Sequence, residues 1–154
     1  MDKNNKLVIW NKKQLIGRKC DVCYILEDNN GLRIELTDCV SNERINISYS
    51  TVVCSYRNIG ESFAINWVEQ KIAEYGLDFI AKNTFFLIEN STYAKLIQEE
   101  THGAVKKEQL FHLEIVATDS VIDIVSFLEP EFYIFSESDS SGTGDGSLSH
   151  EQRT

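Results

Sequence analysis

The chain has 154 residues, of which 42% are hydrophobic and 25% charged, with a formal net charge of −9 at pH 7. That length can bury roughly two thirds of the unfolded surface in one core without staples, and no apolar run is long enough to cross a bilayer. The acidic balance argues against general nucleic-acid binding, which draws on clustered lysine and arginine.

The first twenty residues run against the average, with Lys3, Lys6, Lys12, Lys13, Arg18 and Lys19 opposed only by Asp2. Such a basic arm on an acidic body either docks on a partner or packs on its own chain. Leu7 to Trp10 is too brief for a signal-peptide core, so the expected location is cytoplasmic and the four cysteines are expected to stay reduced. Leu7 to Trp10 fits equally a short edge strand or the start of a helix through Leu15 and Ile16, and Gly17 ends either one.

From Cys20 the pattern has period two, which predicts one strand face carrying Cys20, Val22, Tyr24 and Leu26. Asp28-Asn29-Asn30-Gly31 predicts a hairpin through a type I′ turn. The return strand turns Leu32, Ile34 and Leu36 inward and Arg33, Glu35 and Thr37 outward. After a turn near Ser41 to Glu43, Ile45, Ile47 and Tyr49 alternate on odd positions, whereas Val52, Cys54 and Tyr56 use even ones. One buried face then requires a bulge or strand break near Ser50 and Thr51. These strands form an N-terminal antiparallel β-meander.

Asn66 with Glu69 resembles a capping arrangement, followed by the helical stripe Val68, Ile72 and Tyr75 and a stop at Gly76. Phe85 to Ile88 is a short continuous apolar run, which fits a strand buried on both faces. Asn90 or Ser91 caps a helix carrying Tyr93, Leu96, Ile97 and Glu100, closed by His102 and Gly103. Leu110 to Ala117 alternates as a strand, with His112 and Glu114 on its more polar face. Ser120 with Asp123 resembles a capping box for a helix with the stripe Val121, Ile122, Val125 and Leu128, stopped by Pro130. Phe132 to Phe135 closes a β-α-β-α-β unit. The expected fold is α+β: the meander and this unit in one mixed sheet with about three helices, as a single domain over residues 1–135. Residues 136–154, rich in Ser, Gly, Asp and Glu, are expected to be a disordered tail.

Chemistry-bearing motifs are sparse. No G-x-S-x-G nucleophile elbow occurs, and Gly142, Gly144 and Gly146 lack the strand-helix context of a phosphate loop. Cys20 and Cys23 have C-x-x-C spacing, but residues three apart on a strand point to opposite faces, so a zinc site made with Cys39 and Cys54 needs a broken strand. His112 and Glu114 fit a surface pair, or a pocket between sheet and helices. These absences lead to an expectation without a cofactor: a non-enzymatic, inhibitor-like or immunity-type protein that binds a basic protein partner. Its contact residues would be Glu89, Glu99, Glu100, Glu129 and Glu131, with Trp10 as an exposed anchor on the basic segment. The alternative is a small-molecule or zinc-binding protein using Cys20, Cys23, Cys39 and Cys54, or the pocket near His112 and Glu114.

Overall fold

The computed structural model describes residues 5–136. Lys3 and nearly all of the expected tail lie outside this range. Within it the chain forms strands β1 (Lys6–Ile9), β2 (Cys20–Asp28), β3 (Gly31–Asp38), β4 (Arg44–Tyr49) and β5 (Ser55–Gly60). Helices α1 (Ile65–Tyr75) and α2 (Leu77–Ala81) follow, then β6 (Phe85–Glu89), α3 (Thr92–Glu100), β7 (Phe111–Val116), β8 (Ser120–Ser126) and β9 (Glu131–Phe135). The fold is α+β and strand-rich, with the meander at the N-terminal side.

The strands form two antiparallel sheets rather than one mixed sheet. Sheet A has the order β1-β6-β7-β8-β5, and sheet B the order β2-β3-β4-β9. The phase change after Tyr49 is the point where the chain leaves sheet B: β4 pairs with β3 and β9, whereas β5 pairs with β8. A break therefore stands where a bulge or break was required. Between the sheets lies the larger core, with Leu32, Ile34, Leu36, Ile45 and Ile47 from sheet B facing Phe85, Leu113, Ile115, Ile122 and Ile124 from sheet A. A second core, including Leu7, Trp67, Ile80, Phe86, Val116 and Val121, joins the other face of sheet A to α1 and α2. The order of layers is sheet B, sheet A, helices.

The expected helix over Ser120 to Leu128 is strand β8. Its apolar residues fit a helical stripe as well as a strand, but four of them are β-branched, and such side chains pack better on a pleated surface. β8 also lies between β7 and β5 with all seven residues buried, so both of its faces must be largely apolar. The C-terminal unit is thus β-α-β-β-β.

Three local expectations change for identifiable reasons. The hairpin is present, with Asp28 paired to Gly31, but the left-handed residue is Gly31 at φ 109°, and Asn29 and Asn30 do not have positive φ. Asp28 Oδ1 accepts the Asn30 N–H at 2.8 Å, which stabilises this alternative turn. In β2 the register shifts between Val22 and Tyr24, so Cys20, Val22 and Ile25 face the core while Tyr24 and Leu26 turn outward. Helix α1 begins one residue before the proposed Asn66 cap, after Ala64, with no side-chain cap. The ambiguous Leu7 segment is strand β1, paired with β6.

Candidate functional site

The helix-facing side of sheet A carries a row of charge in the middle of an otherwise apolar layer. Arg57 on β5, Asp123 on β8 and Glu114 on β7 are direct cross-strand partners. His112 lies two residues from Glu114 on the same face of β7. Helix α3 covers this end of the row. Ser91, its N-cap, accepts the Ala94 N–H at 2.9 Å. Tyr93 places its ring edge-on to His112, with centroids 5.8 Å apart, and lies 4.3 Å from the Arg57 guanidinium. The Ser55 and Tyr93 hydroxyls are hydrogen-bonded.

His112 and Glu114 are therefore not a surface pair: both are buried, as is Asp123. His112 Nε2 lies 2.7 Å from Asp123 Oδ1, and Nδ1 lies 2.6 Å from Ser91 Oγ. Arg57 Nε donates to the other Asp123 oxygen at 3.1 Å. Burial alone would raise the Asp123 pKa, but hydrogen bonds from Glu114 and His112, with the nearby positive charge of Arg57, outweigh it and hold the carboxyl below the usual range. The converse applies to Glu114. Burial first, then the hydrogen bond to Asp123 and its negative charge, push the Glu114 carboxyl well above its ordinary value. Of the two carboxyls Glu114 is the one whose proton affinity is raised, and its Oε1 is buried with no hydrogen-bond partner. Lys71, also buried, donates to the Asn5 carbonyl at 3.1 Å and lies 3.2 Å from Glu74.

Asp123, His112 and Ser91 have the connectivity of an acyl-transfer relay, and Ser91 lines a pocket of about 280 Å³ with Ile88, Asn90, Ala94, Lys107 and Glu108. Other contacts oppose that chemistry. The Ser91 hydroxyl oxygen serves as the α3 cap, and the Thr92 N–H, the adjacent donor for a developing oxyanion, is bonded to Asn5 Oδ1 at 3.0 Å. A different property stands out. Among the described residues, His112, Glu114 and Asp123 are the one group of three or more metal-competent side chains, with ligand atoms all within 4.8 Å of one another.

The four cysteines form no such group. Cys20 is buried, and its thiol is pushed up to about 12 by burial, whereas Cys23 and Cys39 are exposed and Cys54 is intermediate. The register shift in β2 does interrupt the strand, yet it leaves Cys23 on the outer side, where Sγ lies 2.9 Å from Thr37 Oγ1.

Trp10 is not an exposed anchor. It is 1% exposed, closes one end of the sandwich against Phe85, Phe111 and Phe132, and donates from Nε1 to Glu129 at 2.7 Å. Its size and apolar ring make it worth more inside the core than on the surface. The basic segment likewise packs on its own chain. Lys6 meets Glu89, Lys12 meets Glu129, Arg18 meets Asp38 and Glu43, and Lys19 donates to the carbonyls of Ile80, Asn83 and Val116. Glu89, Glu99, Glu100, Glu129 and Glu131 are all exposed. They do not converge: Glu129 bonds Trp10 beside Phe85, Glu89 ends β6 about 13 Å further along the strand, and Glu99 and Glu100 end α3.

Asp123 is not legible as a site residue while residues 120–128 read as a helix, and Ser91 is legible only as a cap. An acidic residue within the run Val121 to Val125, at a position that strand alternation turns inward, was the available signal. No protein-family model, curated protein or solved structure matches this chain.

Proposed function

We propose that this protein binds a basic protein partner, in the manner of an inhibitor or immunity protein, through the outer face of sheet B. The observation that carries the reading is that sheet A is covered on both faces, whereas no described residue covers the outer face of sheet B, which presents Tyr24, Leu26, Tyr133 and Phe135, each 38–48% exposed. The cross-strand rows are Tyr24, Glu35, Asn46 and Tyr133, flanked by Leu26, Arg33, Ser48 and Glu131. Aromatic side chains spread across a polar sheet face are the composition of binding hot spots.

The charge on this face favours a basic partner. Arg33 is paired with Asp28 and Arg44 with Glu35, leaving Glu131 bonded only to the Tyr133 hydroxyl among its described polar contacts. Beside Glu131, Ser48, Tyr49, Leu128 and Glu129 line a pocket of about 310 Å³; Glu129 there is already paired with Lys12, so Glu131 is the carboxylate offered to a partner's lysine or arginine. Of the five glutamates expected from sequence, this surface uses Glu131 and, at its rim, Glu129.

The test is face-specific retention. In complexes purified gently and weighed by native mass spectrometry, Glu131→Lys with Tyr133→Ala should lose the partner, and Glu99→Lys with Glu100→Lys on α3 should keep it. Retention by the first variant, or loss only by the second, would sink the assignment to sheet B.

A further inference from the structure

A second site, independent of that surface, lies beneath α3. We propose that His112 Nε2, the Glu114 carboxylate and a carboxylate oxygen of Asp123 bind one divalent first-row transition-metal ion. The three side chains come from adjacent central strands, so the sheet itself sets their separation: His112 and Glu114 share a face of β7, and Asp123 is the direct partner of Glu114 on β8. Their ligand atoms lie within 4.8 Å of one another. Bonds of about 2.0–2.2 Å to a common ion place donors roughly 3 Å apart in octahedral and about 3.4 Å apart in tetrahedral coordination. The His112 and Asp123 atoms, at 2.7 Å, therefore need to separate by about 0.3–0.7 Å.

The supporting contacts are those that orient ligands. His112 is held at its other ring nitrogen by Ser91 Oγ at 2.6 Å, and Asp123 at its other oxygen by Arg57 at 3.1 Å. Glu114 Oε1 is buried without a partner, and a cation would satisfy it. In the metal-bound form Glu114 is a carboxylate, its proton released to solvent, and His112 offers the Nε2 lone pair while its Nδ1–H donates to Ser91 Oγ. Arg57 and Lys71 oppose an added positive charge. The opposition is limited, because Arg57 is paired with Asp123 and a third exposed, and Lys71 is paired with Glu74. One imidazole and two carboxylates suit Zn²⁺, Mn²⁺ or Fe²⁺, whereas Ca²⁺ and Mg²⁺ prefer all-oxygen sets with more ligands. The pocket nearest the cluster is the one lined by Ser91, whose hydroxyl lies 2.6 Å from His112 Nδ1.

Cobalt(II) titration of chelator-treated full-length protein tests the site and separates it from the cysteines. The expected result is one Co²⁺ per chain, visible d–d absorption, no thiolate charge-transfer band, and displacement by Zn²⁺. Glu114→Gln, which replaces a buried carboxyl with an amide of the same shape, should keep the circular dichroism spectrum and weaken binding by at least about tenfold. Cys23→Ser with Cys39→Ser should bind as wild type. A thiolate band, no stoichiometric binding, or unchanged affinity in folded Glu114→Gln would overturn the proposal. His112→Gln, scored the same way, decides the case if Glu114→Gln does not fold.

Discussion

Single residues carry some of the sharpest constraints in this molecule. Gly31 sits at φ 109°, and a Cβ there would lie 2.0 Å from the Tyr49 carbonyl oxygen. Gly31→Ala must therefore accept both a disfavoured backbone and a displaced β4, and should lose about 2 kcal/mol or more in urea denaturation. Asp38 shows the opposite kind of constraint. Burial pushes its carboxyl up, but the Val40 and Ser41 N–H groups and Arg18 outweigh this and hold it below its ordinary value. A carboxyl lowered on folding stabilises the protein above its unfolded pKa, and that contribution fades as pH falls through the folded value. Asp38→Asn should thus cost about 1 kcal/mol at pH 7, and the difference from wild type should vanish in acid-denaturation curves at the low-pH end. Neither effect needs any knowledge of function.

At the scale of elements, strand β8 decides how sheet A is organised. It is central, buried on both faces and paired on each side, so its amides from Val121 to Val125 should exchange with deuterium only through global unfolding. Exchange as fast as in edge strand β9 would contradict this placement. Helix α3 depends on one side chain at its start. Ser91→Ala removes both the N-cap and the His112 contact, and should cost about 1–2 kcal/mol in thermal or urea unfolding. The α3 cap was legible in the sequence, as were the β2–β3 hairpin and the inward alternation of Leu32, Ile34 and Leu36, because each is set by residues close in the chain. β8 was not. Val121, Ile122, Val125 and Leu128 satisfy a helical period and a buried strand alike, and only pairing with β5 and β7 separates the two. That ambiguity also concealed the buried cluster, since Asp123 joins His112 and Glu114 only when β8 lies in the sheet.

For the whole molecule, the decisive fact is which sheet face the described layers leave uncovered, and local pattern could not show it. The division into two sheets rests on long-range pairs such as Arg57 with Asp123, sixty-six residues apart, and on a bulge at Cys23 that turns Tyr24 and Leu26 from the core to solvent. The acidic composition was legible from the start, but its distribution was not: much of the basic segment is neutralised within its own chain, and the open face keeps Glu131 beside Tyr133. Site-specific photocrosslinking in the source cells tests the resulting claim most directly, with benzoylphenylalanine at Tyr133 on sheet B and, as the opposite-side control, at Leu77 on α2. Binding through sheet B gives an adduct with one basic protein from position 133 and none from position 77. Equal adducts from both positions, no adduct from 133, or an acidic partner would contradict it.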